Sequence, residues 1–177
     1  MWKRLLCAFA VSFLFTNFAV AADYVLPYPS YMPGHKLYKI SKVIDQLKQY
    51  WYWGTFASIT CHMDLSDKYL VESKTLFEYK QYLLVLHALD ESNSHVTMIP
   101  MLMTRAADEQ KQTVQFRRRF TEEIDKHLSV LNSMQASSPH EFLWQPEKAQ
   151  ATRLNLSEEI TDAIKVREQL KKYIPLQ

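Results

Sequence analysis

An all-α fold, an antiparallel bundle of about five amphipathic helices behind an extended proline-rich arm, is what this 177-residue sequence predicts. Three observations carry that expectation. Only Gly34 and Gly54 are glycines, and both hairpin turns and phosphate-binding loops need residues at positive φ. Apolar residues recur at steps of three and four along most of the chain. Short joints separate these periodic stretches, and a short joint turns each helix back along the one before it.

The elements follow in order. Met1-Trp2-Lys3-Arg4 is a cationic start, and Leu5 to Phe15 is apolar except for Ser12. Ala19-Val20-Ala21 then offers small residues at a signal-peptidase site, with Ala22 as a second position. Residues 1–22 therefore read as a signal peptide. A retained anchor is the alternative, but Thr16 and Asn17 leave a stretch that barely reaches the ~18 residues of a spanning helix. Cys7 lies inside the apolar run, without the small-residue lipobox that a lipoprotein cysteine follows.

Residues 23–35 form the arm, in which Pro27, Pro29 and Pro33 favour extended geometry. Residues 36–177 form a single helical domain. Its first helix spans 36–53, with Leu37, Ile40, Ile44, Leu47 and Trp51 as its apolar stripe and Gly54 as the C′ residue that ends it. The second spans 55–79 and carries Phe56, Ile59, Met63, Leu70 and Phe77. The third spans 81–110, with a kink expected at Pro100 because proline lacks the N–H and crowds the preceding turn. The fourth spans 112–134, with Phe116, Phe120, Ile124, Leu128 and Leu131 inward. Residues 140–155 read as an irregular strap pinned by Phe142, Leu143 and Trp144. Asn155 and Glu158 make a capping box for the fifth helix, 156–173, which turns Ile160, Ala163, Ile164 and Leu170 inward.

Composition narrows the function. Without Lys3 and Arg4 the chain holds 19 basic and 19 acidic residues, so the mature protein lacks the basic footprint of a nucleic-acid binder. Cys61 then stands alone, and the fold must survive outside the cytoplasm without an intrachain disulfide. No cofactor motif is present.

The arm Leu26-Pro27-Tyr28-Pro29, the stretch Pro33-Gly34-His35-Lys36-Leu37-Tyr38, the aromatics at Tyr50 to Trp53, and Leu65-Ser66-Asp67-Lys68-Tyr69-Leu70 resemble a family of uncharacterised exported bacterial proteins carrying a domain of unknown function. The resemblance covers roughly residues 24–92. It implies an envelope or secreted helical domain and brings no active site with it.

Each chemically suggestive cluster also has an ordinary structural role open to it. His62, Asp64 and Asp67 are close in sequence but diverge around a helix, 62 and 64 by some 200°. Glu91 with His95 and Glu123 with His127 share faces at i,i+4, a spacing that solvated helix pairs explain. Cys61 and His62 diverge by about 100°, so they form no thiol–imidazole dyad unaided. Arg117, Arg118 and Arg119 are a candidate anion patch, although Glu122 and Glu123 offset them and an ordinary solvated face is the simpler reading.

Tyr50, Trp51, Tyr52 and Trp53 exceed what a core needs. Burial under the arm is the structural expectation for them, and a platform for a sugar or a membrane interface is the functional one. The resulting expectation is an exported, envelope-associated structural or binding module, periplasmic or extracellular. It needs no cofactor or nucleic acid, and its partner is a protein, a glycan or a lipid surface. The alternatives are an enzyme acting on cell-wall polymer through groove carboxylates such as Asp64, Asp67, Asp90 or Glu91, and a membrane-tethered scaffold.

Overall fold

The computed structural model describes residues 24–139, 141–146 and 150–173, so the leader lies outside the described residues. The all-helical expectation is borne out. Five helices appear in order: α1 Tyr38–Trp51, α2 Thr55–Glu78, α3 Tyr82–Asp108, α4 Val114–Ala136 and α5 Leu156–Tyr173. Between α4 and α5 the expected irregular strap is instead a small antiparallel hairpin, β1 Phe142–Trp144 and β2 Thr152–Leu154. Phe142 pairs with Leu154 across it and packs edge-on against Tyr82 at 4.7 Å, so an aromatic contact pins the segment, while Leu143, expected to share that role, is exposed because its side chain falls on the strand's outer face. Three residues a side of β-favouring type suffice for pairing once the hairpin lies against a helix.

Helices α2 to α5 form the bundle proper. One apolar cluster holds Ile59 and Met63 of α2, Val96, Ile99 and Met103 of α3, and Phe120 and Ile124 of α4. A second, at the other end, holds Leu70 and Leu76 of α2, Val85 and Leu89 of α3, Leu131 of α4, and Leu156 and Ile160 of α5. The helix α3 continues through Pro100 without interruption.

The joints show how a chain so poor in glycine turns. Gly54 sits at φ 96° and ψ 151°, immediately before α2, where its carbonyl accepts the Ser58 N–H. It therefore starts α2 rather than serving as the C′ residue of α1. The C-termini of α2 and α3 are closed by Lys80 (φ 58°) and Gln110 (φ 57°). After each, a pair of backbone bonds folds back: Lys80 N–H to Phe77 O with Gln81 N–H to Leu76 O, and Gln110 N–H to Ala107 O with Lys111 N–H to Ala106 O. These are Schellman motifs, with non-glycine residues in the left-handed region.

The first helix overturns its sequence reading. The predicted stripe exists as a stripe, but it points outward. Only Asp45 of α1 is buried, while Ile40, Val43, Ile44 and Leu47 are exposed and Trp51 is 84% exposed. The charged and hydroxyl-bearing side faces the bundle instead.

Candidate functional site

Two features stand apart from an ordinary bundle: the inverted helix α1, and a sealed polar layer between the two apolar clusters.

Helix α1 is held by specific polar bonds. The Tyr38 hydroxyl donates to Glu72 Oε1 at 2.8 Å, and Lys68 donates to Ser41 Oγ at 3.0 Å and also pairs with Asp45. The Tyr69 hydroxyl donates to Asp45 Oδ2 at 3.2 Å. Lys42 pairs with Glu91 at 3.5 Å and lies 4.0 Å from the centre of the Tyr69 ring. These contacts use positions 38, 41, 42 and 45, which share one face at helical spacing. The opposite face then carries Ile40, Val43, Leu47 and Trp51 into solvent.

The aromatic run continues that surface. Tyr50 and Trp53 are exposed, Trp53 by 87%, and the Trp53 indole N–H donates to the Tyr50 carbonyl at 2.7 Å. Tyr52 is the least exposed of the four. The expected burial under the arm does not occur, because the arm runs along α2 and α4 instead, with Tyr24 at Asp67.

The sealed layer takes one or two residues from each bundle helix at matching depth. In α2 it is Ser66 and Asp67, in α3 Ser92 and Asn93, in α4 Glu123 and His127, and in α5 Arg167. Glu123, His127 and Arg167 are all 0% exposed. Arg167 donates from Nε to His127 Nδ1 at 3.2 Å, from Nη1 to Asn93 Oδ1 at 2.6 Å and the Ala163 carbonyl at 3.1 Å, and from Nη2 to Ser92 Oγ at 2.8 Å. The Ser92 hydroxyl passes its own proton to the Ser66 carbonyl at 2.9 Å.

A guanidinium donates only. Nδ1 of His127 must therefore be the acceptor, which leaves the neutral ring's proton on Nε2. That proton goes to Asp67 Oδ1 at 2.7 Å, and the Tyr24 hydroxyl donates to Asp67 Oδ2, also at 2.7 Å. Both Asp67 oxygens are thus held by donors. Burial keeps His127 below the ordinary imidazole pKa, against the opposing pull of Asp67. Burial also draws Arg167 down to about 10, partly restored by Glu123 and Asp67.

Glu123 is the exception. Neither of its carboxylate oxygens has a hydrogen-bond partner. Burial first, and the Asp67 charge second, push its carboxyl well above the usual range, although Arg119 and Arg167 oppose this. Asp67, Glu123 and His127 each bring one ligand-type atom within 4.8 Å of the others. A metal would need the lone pair on His127 Nε2, where Arg167 instead places a proton. As arranged, Asp67 and His127 are links in a hydrogen-bond chain that passes beside an unbonded Glu123, rather than members of a donor set for an ion.

The other sequence candidates scatter. His62 Nδ1 meets His95 Nδ1 at 3.1 Å, Asp64 accepts from Arg119 at 2.8 Å, and Asp67 turns to His127. Desolvation, then the neighbouring His62, holds buried His95 down to about 4, and desolvation lowers His62 as well. The solvated-pair reading fails for Glu91 with His95, since His95 is buried and Glu91 reaches Lys42. It fails more completely for Glu123 with His127, the centre of the sealed layer.

The three arginines diverge to Thr113, Glu122 and Asp64 and form no common patch. Cys61 is buried, and desolvation raises its thiol pKa. Of the groove carboxylates, Asp64 and Asp67 line a cleft of ≈ 410 Å³ under the arm, each already engaged by a donor, while Asp90 and Glu91 lie elsewhere on α3.

Sequence reasoning missed Arg167, and a signal was present: it continues the 160, 163 stripe of α5 at the next core position. Among the described residues no helix is long and apolar enough to cross a membrane. Compared with family models, with curated proteins and with solved structures, the chain finds no match in any of the three.

Proposed function

We propose that this chain is an exported, envelope-associated binding module that lies on an anionic lipid surface through the outward face of α1. The observation that carries the reading is the inversion of that helix: its polar side is spent on the bundle and its apolar side faces solvent. A contiguous exposed apolar face marks an interaction site rather than a solvated surface. Its chemistry suits a bilayer interface. Leu47 and its aliphatic neighbours would enter the acyl boundary, with Tyr50, Trp51 and Trp53 at headgroup level, where amphipathic rings partition.

Charge complementarity favours anionic lipid in particular. Asp45 is the only acid in α1 and it is buried against the bundle, while Lys39 and Lys48 stand on either flank of the apolar face and Lys36 precedes it. The cationic, apolar leader and the resemblance of residues 24–92 to exported proteins support delivery to the envelope.

Vesicle sedimentation tests the reading directly. The protein is expected to sediment with phosphatidylglycerol-containing vesicles and much less with phosphatidylcholine vesicles, with a blue shift of tryptophan emission. Leu47→Ser combined with Trp51→Ser is expected to remove both signals while leaving the melting temperature nearly unchanged. No sedimentation with either vesicle would sink the proposal, and concentration-dependent dimerisation lost in the same variant would point to a second copy as occupant. For export, intact mass of the protein recovered from its native cells should give Ala22 or Asp23 as the first residue; an unprocessed Met1 would overturn cleavage.

A further inference from the structure

The charged groups of the sealed layer do not balance unless one of them carries a proton. Asp67, Glu123 and Arg167 are its ionisable members once His127 is fixed as neutral by its two hydrogen bonds. One guanidinium faces two carboxylates, with all three groups buried. Asp67 accepts from Tyr24 and from His127 and is the anion. Glu123, with no donor at either oxygen, is the neutral acid. A second carboxylate ionised in such a site carries an uncompensated desolvation penalty, which holding a proton avoids.

Tyr24 closes the layer on its open side. The arm is fastened near its ends, by Tyr24 on Asp67 and by Met32 packed on the second apolar cluster. Between them it stands away from the bundle. Val25 and Tyr28 are exposed, and the cleft beneath is lined by Pro27, Ser30, Asp64, Lys68 and Arg119. Asp67, on which the Tyr24 hydroxyl is seated, brings a carboxylate oxygen within 4.8 Å of one of Glu123, so the arm and the unbonded acid share one neighbour.

We propose that residues 24–33 are a proton-operated latch: the arm is shut while Glu123 is protonated, and ionisation of Glu123 releases Tyr24 and opens the cleft. This inference is independent of the role of α1. The groups facing Glu123 define the response. Tyr24 faces it from the arm, Asp64 and Asp67 from α2, Arg119 and His127 from α4, and Arg167 from α5. An ionised Glu123 finds four of the five Arg167 N–H groups already spent on His127, Asn93, the Ala163 carbonyl and Ser92, and Arg119 held by Asp64. An ionised carboxylate takes more donors than that one N–H supplies, and in the latch they come from water admitted through the cleft that Tyr24 and Asp67 line. By linkage, whatever lifts the arm must also favour loss of the proton.

Limited proteolysis between residues 24 and 33, normalised at each pH to a free peptide of the same sequence, tests the latch on the whole protein, protection being the factor by which the arm is cut more slowly than the peptide. Arm protection in the wild type is expected to fall at least tenfold between pH 5 and pH 9. Glu123→Gln, neutral at every pH, is expected to hold the arm equally protected throughout. Tyr24→Phe should lower protection at all pH values. Wild-type protection that does not change with pH, or the same fall in Glu123→Gln, would overturn the proposal.

Should Glu123→Gln fail to fold, infrared spectroscopy of the wild type decides. A protonated-carboxyl carbonyl band present at neutral pH and lost in step with arm protection supports the latch. Absence of that band at neutral pH refutes it.

Discussion

The Nε–H of Arg167 donates to Nδ1 of His127 at 3.2 Å inside a core that excludes solvent from both side chains. Because the guanidinium cannot accept, this contact sets the histidine tautomer and aims its remaining proton at Asp67. One bond between α5 and α4 thereby organises a layer that reaches through α2 to the arm.

Arg167 is therefore the residue whose loss costs most. Arg167→Ala leaves Asp67 uncompensated and Ser92, Asn93 and His127 without their donor, and should destabilise the fold by about 3–5 kcal/mol. Urea denaturation gives the measurement. Lys171→Ala, which removes an exposed partner of Asp125, is the control and should cost under about 1 kcal/mol.

Glu123 and His127 impose opposite pH slopes. The Glu123 carboxyl is raised, so the native state keeps a proton the unfolded chain has lost; that stabilisation is full below the ordinary carboxyl range and declines as pH rises towards the native value. His127 is lowered, so its contribution is present above the ordinary imidazole range and is lost as pH falls below it. Denaturation midpoints at pH 5, 7 and 9 should show Glu123→Gln more stable than wild type at pH 9, with the gap closing towards pH 5. A constant gap would refute the assignment.

The polar underside of α1 is the side that holds it. Asp45→Ala removes the partner of Lys68 and Tyr69 from a buried position and should destabilise by roughly 1–3 kcal/mol. Ile44→Ser on the outward face should change stability by under about 0.5 kcal/mol. Thermal melts of the two variants would separate these outcomes, and equal losses would contradict the inverted orientation.

Two left-handed residues offer stabilisation without touching the core. Lys80→Gly and Gln110→Gly should each add roughly 0.5–1 kcal/mol, since glycine removes the Cβ strain at φ near 58° while giving some of it back as unfolded-chain entropy. A loss of stability in either variant would count against the turn geometry.

Much of the fold was legible because periodicity is local. The stripes of α2 to α5, their approximate ends and the joint at 79–81 all follow from spacing and turn chemistry. The hairpin at 142–154 escaped, because three-residue strands carry too little pattern and depend on packing against α3 for their existence. Glu123 and His127 were visible as an i,i+4 pair, yet that spacing is the same in solvent and in a core.

The sequence by itself determined the helical class and which residues of each helix share a face. Tertiary structure alone decided which way those faces turn and at what depth they meet. The stripe of α1 faces outward because its opposite side finds Glu72, Lys68, Tyr69 and Glu91 to bond with. Asp67, Ser92, His127 and Arg167 become one layer because four antiparallel helices bring them level, joined by hydrogen bonds that span up to 75 residues. Periodicity defines a direction around one helix axis; the partner on that side, and the register at which it arrives, belong to the packing of all of them together.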